Sequence, residues 1–203
     1  MEIVFATRNQ GKIREFQDLI KDLDVDLLSL DDINFSQEVL EEGERYSENA
    51  LKKAGEVSIF SNKITIADDS GIEIAVYNNG PGVKSARFFP ELSYEQKNRK
   101  IISDLEGITG SNRGVKYKCC IAIFQPDGKF FTCEEECEGI ISEEPKGENG
   151  FGYDPIFFLP EYGKTFAELP LESKNQISHR GKAFRKAKEI LTGLVPWTTI
   201  RDK

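Results

Sequence analysis

Within its first thirty residues the chain switches hydrophobic period twice, and that switch restricts the fold more than any other feature. "EIVFAT" reads as a short apolar strand, and "NQGKIREFQDLI" sets Ile13, Phe16 and Leu19 or Ile20 on one helical face behind Asn9, a candidate cap. "VDLLSL" then returns to a strand. Strand, helix and strand in succession belong to the α/β class. After an acidic stretch, "SQEVLEEGE", the segment "YSENALKKAGEVSIF" predicts a second helix, with Ala50, Leu51, Ala54 and Val57 at helical spacing. "ITIADDSG" and "IEIAVY" predict two short strands on either side of a pair of aspartates, and "NNGPG" breaks the pattern. "SYEQKNRKIISDLEG" predicts another helix. "GVKYKCCIAIF" and "KFFTCEEECEGIIS", joined by the turn sequence "QPDGK", predict a long hairpin. The glycine-rich "KGENGFGYDP" is a loop, and "SHRGKAFRKAKEILTGL" is an amphipathic helix opened by Ser178. With no repeat, linker or low-complexity tract in sight, the expectation is one mixed α/β domain over residues 1–203.

Composition limits the partners. A chain of 203 residues can form one good-sized core or two lobes sharing a sheet. A net charge of −8 argues against a polynucleotide partner, which needs a basic face, but leaves room for a small phosphorylated ligand. No apolar run approaches membrane-spanning length, and "MEIVFATRNQ" carries an acidic residue where a signal peptide would be positive, so the expected location is cytoplasmic with no membrane contact. Cys119 and Cys120 are adjacent on a strand and must face opposite ways; with Cys133 and Cys137 they read as free thiols rather than one zinc site.

Four stretches can carry chemistry. In "ATRNQGK", Thr7, Asn9 and Lys12 surround a helix start, either as a phosphate cradle or as an ordinary cap; the longer GxxxxGK[ST] loop is absent. "LEEGERYSEN" and "ADDSG" supply Glu41 and Asp69, which suit a cation bound to a polyphosphate, although a charged helix approach and an Asp-rich turn would look the same. Because neighbours on an extended chain point oppositely, Asp68 and Asp69 cannot both serve one site unless the backbone bends. "NGFGYDPIFF" offers glycines for close approach, Phe151 or Tyr153 for stacking and Asp154 as an acceptor, or else a hydrophobic turn entering a core strand. The lone histidine in "SHRG" excludes a multi-histidine metal centre, leaving His179 and Arg180 as helix-start donors that Lys174 can join, or as a plain cap with two exposed polar residues.

Taken in order, "TxNxxK", "ENAxxKA", "ADDSG", "PGVxSAR", "FGYDPIF" and "SHRGKA" run from residue 7 to residue 183, and in this the chain resembles the inosine triphosphate pyrophosphatase family. The resemblance implies an elongated mixed sheet with flanking helices and two lobes around a nucleotide-binding cleft. It also implies a homodimer, a Mg²⁺ requirement, and hydrolysis of dITP, ITP and XTP to monophosphate and pyrophosphate. It assigns Thr7, Arg8, Asn9, Gln10, Gly11 and Lys12 to the triphosphate, Glu41 and Asp69 to the metal, and Asp69 to acid-base catalysis, with Asp68 supporting the turn or a contact behind it. Ser70 becomes a substrate contact; Phe151, Gly152, Tyr153 and Asp154 resemble a base-binding strip, with Lys174, His179 and Arg180 closing on the purine. Where many members have Thr-Phe before "ENA", this chain has Arg45 and Tyr46, and Glu42 stands one residue from Glu41 as the alternative ligand. Turnover of modified pyrimidine triphosphates, or nucleotide binding without turnover, are the competing readings.

Overall fold

Three parallel strands begin the architecture, because two helices carry the chain back between them. In the computed structural model, which describes residues 1–194, β1 (Glu2–Phe5) pairs with β2 (Asp26–Leu28) and β3 (Ile64–Ile74), with Ile3 opposite both Leu27 and Ile64. Parallel neighbours need crossovers, and α1 (Gln10–Ile20) and α2 (Tyr46–Ser61) provide them. Asn9 caps α1: its side-chain oxygen accepts from the amides of Gly11 and Lys12.

The chain packs as two compact units. The first comprises Met1–Asp69, Cys119–Glu135 and the described residues from Arg180 onward. It holds β1, β2, the first part of β3, the end of β5 (Gly114–Phe124), the start of β6 (Phe130–Ile141) and nearly all of α5 (His179–Leu194). Period-two alternation sorts its strand residues between two cores. Ile3, Phe5, Ile66, Cys119, Ile121 and Ile123 pack with Phe16 of α1 and Phe184 of α5. Val4, Ala6, Ala67, Cys120 and Ala122 pack with Ala50, Ala54 and Val57 of α2. Small residues let α2 lie close: a Cβ on Gly55 would come within 3.3 Å of the Phe124 ring.

The second unit comprises Ser70–Lys118 and Glu136–His179. It adds β4 (Gly80–Pro81), antiparallel to β3, then α3 (Tyr94–Asp104), β7 (Phe157–Leu159), β8 (Lys164–Thr165) and α4 (Leu171–Ile177). Its core gathers Ile72, Ile74, Ile101, Leu105, Tyr117, Ile141, Phe157 and Phe166. Buried Arg113 donates to the carbonyls of Leu105, Ile141 and Ser142, so one guanidinium ties the end of α3 to the end of β6. The strands hydrogen-bond in the order β2-β1-β3-β5-β6-β7-β8, with β4 on β3, giving a mixed sheet of eight strands with flanking helices.

One expectation is corrected. The two short strands around the aspartates are a single strand, β3, with Ser70 and Gly71 in its middle rather than in a turn. Backbone pairing on β3 overrides the local turn preference of Asp-Asp-Ser-Gly. Gly71 instead permits a close approach: a Cβ there would stand 2.2 Å from the Gly82 carbonyl oxygen. Residues 75–77 of "IEIAVY" form a 3₁₀ turn rather than strand. No helix among the described residues is long and apolar enough to cross a membrane.

Candidate active site

Since β3 is extended through residues 68 and 69, the two aspartates point to opposite faces, and each meets a different helix. Asp68 shares the face of Ile66. There Lys12 Nζ of α1 lies 2.9 Å from its Oδ1, and Arg180 Nε of α5 lies 3.0 Å from its Oδ2. The same guanidinium also pairs with Glu15, three residues after Lys12 on α1. Asp69 shares the face of Ala67 and meets α2: Asn49 Nδ2 donates to its Oδ2 at 3.0 Å, and Lys53 Nζ lies 4.0 Å from its Oδ1. Lys53 in turn lies 2.5 Å from Glu41 Oε1 and donates to the Asp68 carbonyl oxygen at 2.7 Å. Both aspartates are buried, at 1% and 4% exposure, so burial cannot be what tells them apart.

Their charged neighbours do that. Burial pushes the Asp68 carboxyl up, but Lys12, then Arg180 and Lys53, outweigh it and hold the group well below the usual carboxylate range. Burial also raises Asp69, and there the opposing pull of Lys53, Lys12 and the Asn49 hydrogen bond is too weak to cancel it, so its pKa stays above the ordinary value. Two adjacent carboxylates with pKa values driven apart are a signature of divided labour: one fixed anion, one proton acceptor. Burial pushes Lys53 down, but Asp69, Asp68 and Glu41 more than offset this and keep it cationic.

The donor set fits a hard divalent cation. Glu41 and Asp69 offer oxygen only, and the Lys53 ammonium already stands against both as a cation would. Among the described residues no group of three or more His, Cys, Asp or Glu is placed to hold a metal by itself. A divalent ion bound to a polyphosphate takes only one or two protein carboxylates and completes its shell with phosphate oxygens and water. Glu42, 3.8 Å from Lys52, belongs to a more exposed pair.

The rest of the "TRNQGK" turn is occupied with its own structure. Thr7 Oγ1 accepts from the Asn9 amide at 3.2 Å, and Asn9 and Gly11 form the cap. Arg8 donates to the Phe35 carbonyl at 2.6 Å, and Gln10 is exposed at the first position of α1.

In the second unit the "FGYD" loop is built around one carboxylate. Asp154 Oδ2 accepts from the Phe151 amide at 2.8 Å and pairs with the buried Lys174 of α4. Gly150, at φ +73°, is required here, because a Cβ would stand 2.1 Å from that oxygen. Lys174 Nζ lies 5.1 Å from the centre of the Phe151 ring. Gly152 donates no side chain, but its carbonyl accepts from Asn98 Nδ2 at 3.0 Å; Tyr153 donates to the Ser85 carbonyl at 2.8 Å. His179 is buried and stacks on Tyr117 at 4.5 Å, continuing a column through Phe157 and Phe166. The reading of "SHRG" as two exposed polar residues is thus corrected for both. Arg180, expected on the base side, has its guanidinium engaged by Asp68 and Glu15 instead. Ser70 follows Asp69 on β3 and is half-buried.

Sequence reasoning missed Glu15, and it gave no role to Asn49 and Lys53 although both stand in "ENAxxKA". Spacing holds the signal: Lys12 and Glu15 are i,i+3 on α1, and Asn49 and Lys53 are i,i+4 on α2, so each pair shares a helical face. A glutamate beside Phe16 on the buried stripe of an amphipathic helix asks for a cation.

A mixed α/β sheet with one strand presenting a carboxylate held ionised and a carboxylate pushed up, both among lysines, has the perturbed titratable groups that mark a candidate functional site. The Ham1 family model matches residues 3–190, and the chain belongs to that family. A curated dITP/XTP pyrophosphatase of Desulforamulus reducens is 46% identical over 195 residues, covering 96% of this chain and 97% of its own. The Ham1 protein of Staphylococcus aureus superposes with a TM-score of 0.83 at 36% identity, over 96% of this chain and all of its own. A HAM1 protein from Coxiella burnetii gives 0.84 at 36% identity, over 95% and 99%.

Proposed function

We propose that this protein is a cytoplasmic, homodimeric, Mg²⁺-dependent nucleoside triphosphate pyrophosphatase that hydrolyses dITP, ITP and XTP to the monophosphate and pyrophosphate. The observation that supports it most is the division between Asp68 and Asp69 on one strand, the first held ionised by Lys12 and Arg180, the second kept basic beside Glu41 and Lys53. Asp69 is the general base: it takes the proton of a water whose oxygen attacks the α-phosphorus as the bond to the bridging oxygen breaks and pyrophosphate leaves. Glu41 and Asp69 would hold the metal, which supplies charge neutralisation and a lower pKa for the attacking water. Lys12 and Lys53 meet phosphate charge, with backbone amides of the "TRNQGK" turn. Asp68, anchored by Arg180 and Glu15, keeps Lys12 in place.

On the base side, Phe151, Gly152, Tyr153 and Asp154 offer a face and Lys174 and His179 offer donors. Hypoxanthine and xanthine carry a carbonyl acceptor at purine position 6, where adenine carries an amino donor, so donor-lined walls favour the first two. Release of pyrophosphate from a panel of ITP, dITP, XTP, ATP, GTP and modified pyrimidine triphosphates with Mg²⁺ tests the reading. The expected result is turnover of the first three at kcat/KM at least about 10²-fold above ATP. Equal turnover of ATP and ITP, or preference for a pyrimidine, would overturn it.

A further inference from the structure

We propose that Asn49 is a positioning residue that ties the loop carrying Glu41 to the Asp69 carboxylate, so that a single amide fixes the backbone two residues after Glu41 against an Asp69 oxygen; this rests on the pyrophosphatase reading above. Asn49 is 1% exposed, near the start of α2. Both ends of its side chain are used. Oδ1 accepts from the Gly43 amide at 2.8 Å, while Nδ2 donates to Asp69 Oδ2 at 3.0 Å and lies 3.5 Å from the Gly43 carbonyl. A side-chain amide can accept from one partner and donate to another; an ionised carboxylate only accepts, and an alkyl chain does neither.

The loop is shaped to receive it. A Cβ on Gly43 would stand 2.8 Å from Asn49 Oδ1 and 2.8 Å from Glu48 Cβ, so glycine is what lets the backbone come this near. One residue later Glu48 Oε2 accepts from the Glu44 amide at 2.9 Å, giving the loop a second hold on the same helix. Glu41 is two residues before Gly43, and Asp69 is on β3; Lys53 joins them by charge. A lysine is a point charge on a flexible stem and sets no angle, whereas the amide is directional. Lys53 therefore supplies attraction and Asn49 supplies geometry.

The two hydrogen bonds can be separated by substitution. Asn49→Asp still accepts from the Gly43 amide but no longer donates to Asp69, and Asn49→Ala loses both contacts. Amide hydrogen exchange of residues 41–45 reads the loop, and kcat and KM for ITP read the carboxylate. The expected result is a kcat loss of at least about tenfold in both variants with KM little changed, as for other groups that orient a metal-binding carboxylate. Loop protection should fall at least about tenfold in Asn49→Ala and be kept in Asn49→Asp, and Asn49→Ala should need more Mg²⁺ for half-maximal rate. Equal protection in all three proteins, or kcat in Asn49→Asp within about twofold of the unmodified chain, would overturn the proposal. A merely structural role would move Tm and protection together in both variants and leave kcat per folded molecule unchanged, which also overturns it. Failure of the unmodified chain on ITP, dITP and XTP would remove the pyrophosphatase reading, while the exchange arm would still decide whether Asn49 holds the loop.

Discussion

The polar centre of the first unit and that of the second are each built on buried carboxylates, yet they use them in opposite ways. Around Asp68 and Asp69 stand Lys12, Lys53, Arg180, Glu15, Glu41 and Asn49, a network in which every carboxylate meets a cation and the cations are shared. Asp154 pairs with Lys174 and accepts from the Phe151 amide, and the Lys174 ammonium lies against the rings of Phe151 and Phe166. A network of shared charges can exchange partners when a polyanion arrives. A buried ion pair with rings against its ammonium instead holds a loop in shape.

The sharpest way to break that comparison is at Asp69. Asp69→Asn should keep the fold and lose at least about 10²-fold in kcat, because a general base contributes about 10²–10⁴-fold; steady-state pyrophosphate release with near-normal kcat would assign the base elsewhere. Next in size is Lys12→Ala. It should lower kcat/KM by at least about tenfold for ITP, XTP and dITP alike, since a charged hydrogen bond contributes about 1.5–3 kcal/mol and a phosphate contact does not read the base. A loss confined to one base would move Lys12 out of the phosphate role.

In the second unit the expected signature is thermal and selective. Lys174→Met strands a buried carboxylate, which costs about 3–5 kcal/mol and should lower Tm by about 10 °C. Lys174→Met combined with Asp154→Asn should recover at least half of that shift, because no uncompensated charge remains. The double variant should also narrow the preference for ITP over ATP while leaving the Mg²⁺ titration unchanged. A displaced titration in that variant would blur the division between the two centres.

The smallest effect is in pH and separates the two aspartates themselves. Asp68 has a depressed pKa in the folded chain, so its contribution is present above the unfolded value, about 3.9, and is lost as pH falls below it. Asp69 is raised, so the folded chain binds the extra proton and stability falls as pH rises from about 4 through its folded pKa. Tm measured from pH 3 to 7 should therefore lose its acid-side rise in Asp68→Asn and its opposing fall in Asp69→Asn. Identical profiles for the two variants would mean that the pair titrates as one group.

The sequence by itself determined most of the elements and the family. Strand-helix-strand alternation, the Asn9 cap, the hairpin through "QPDGK" and the glycines of "KGENGFG" are local matters of period and backbone freedom, and they appear where the pattern puts them. The motif order likewise carries the resemblance to the inosine triphosphate pyrophosphatase family, and the Ham1 family model matches residues 3–190. What only the tertiary structure decided is which side of the sheet each carboxylate serves. Continuous pairing of β3 keeps the chain extended through "ADDSG", so a one-residue step sends Asp68 to α1 and α5 and Asp69 to α2. Arg180 reaches Asp68 across 112 residues of chain, and Glu15 reaches Arg180 across 165. No local pattern encodes such pairs, because they arise from burial: a charge taken out of water must find its partner wherever the packing brings one within reach.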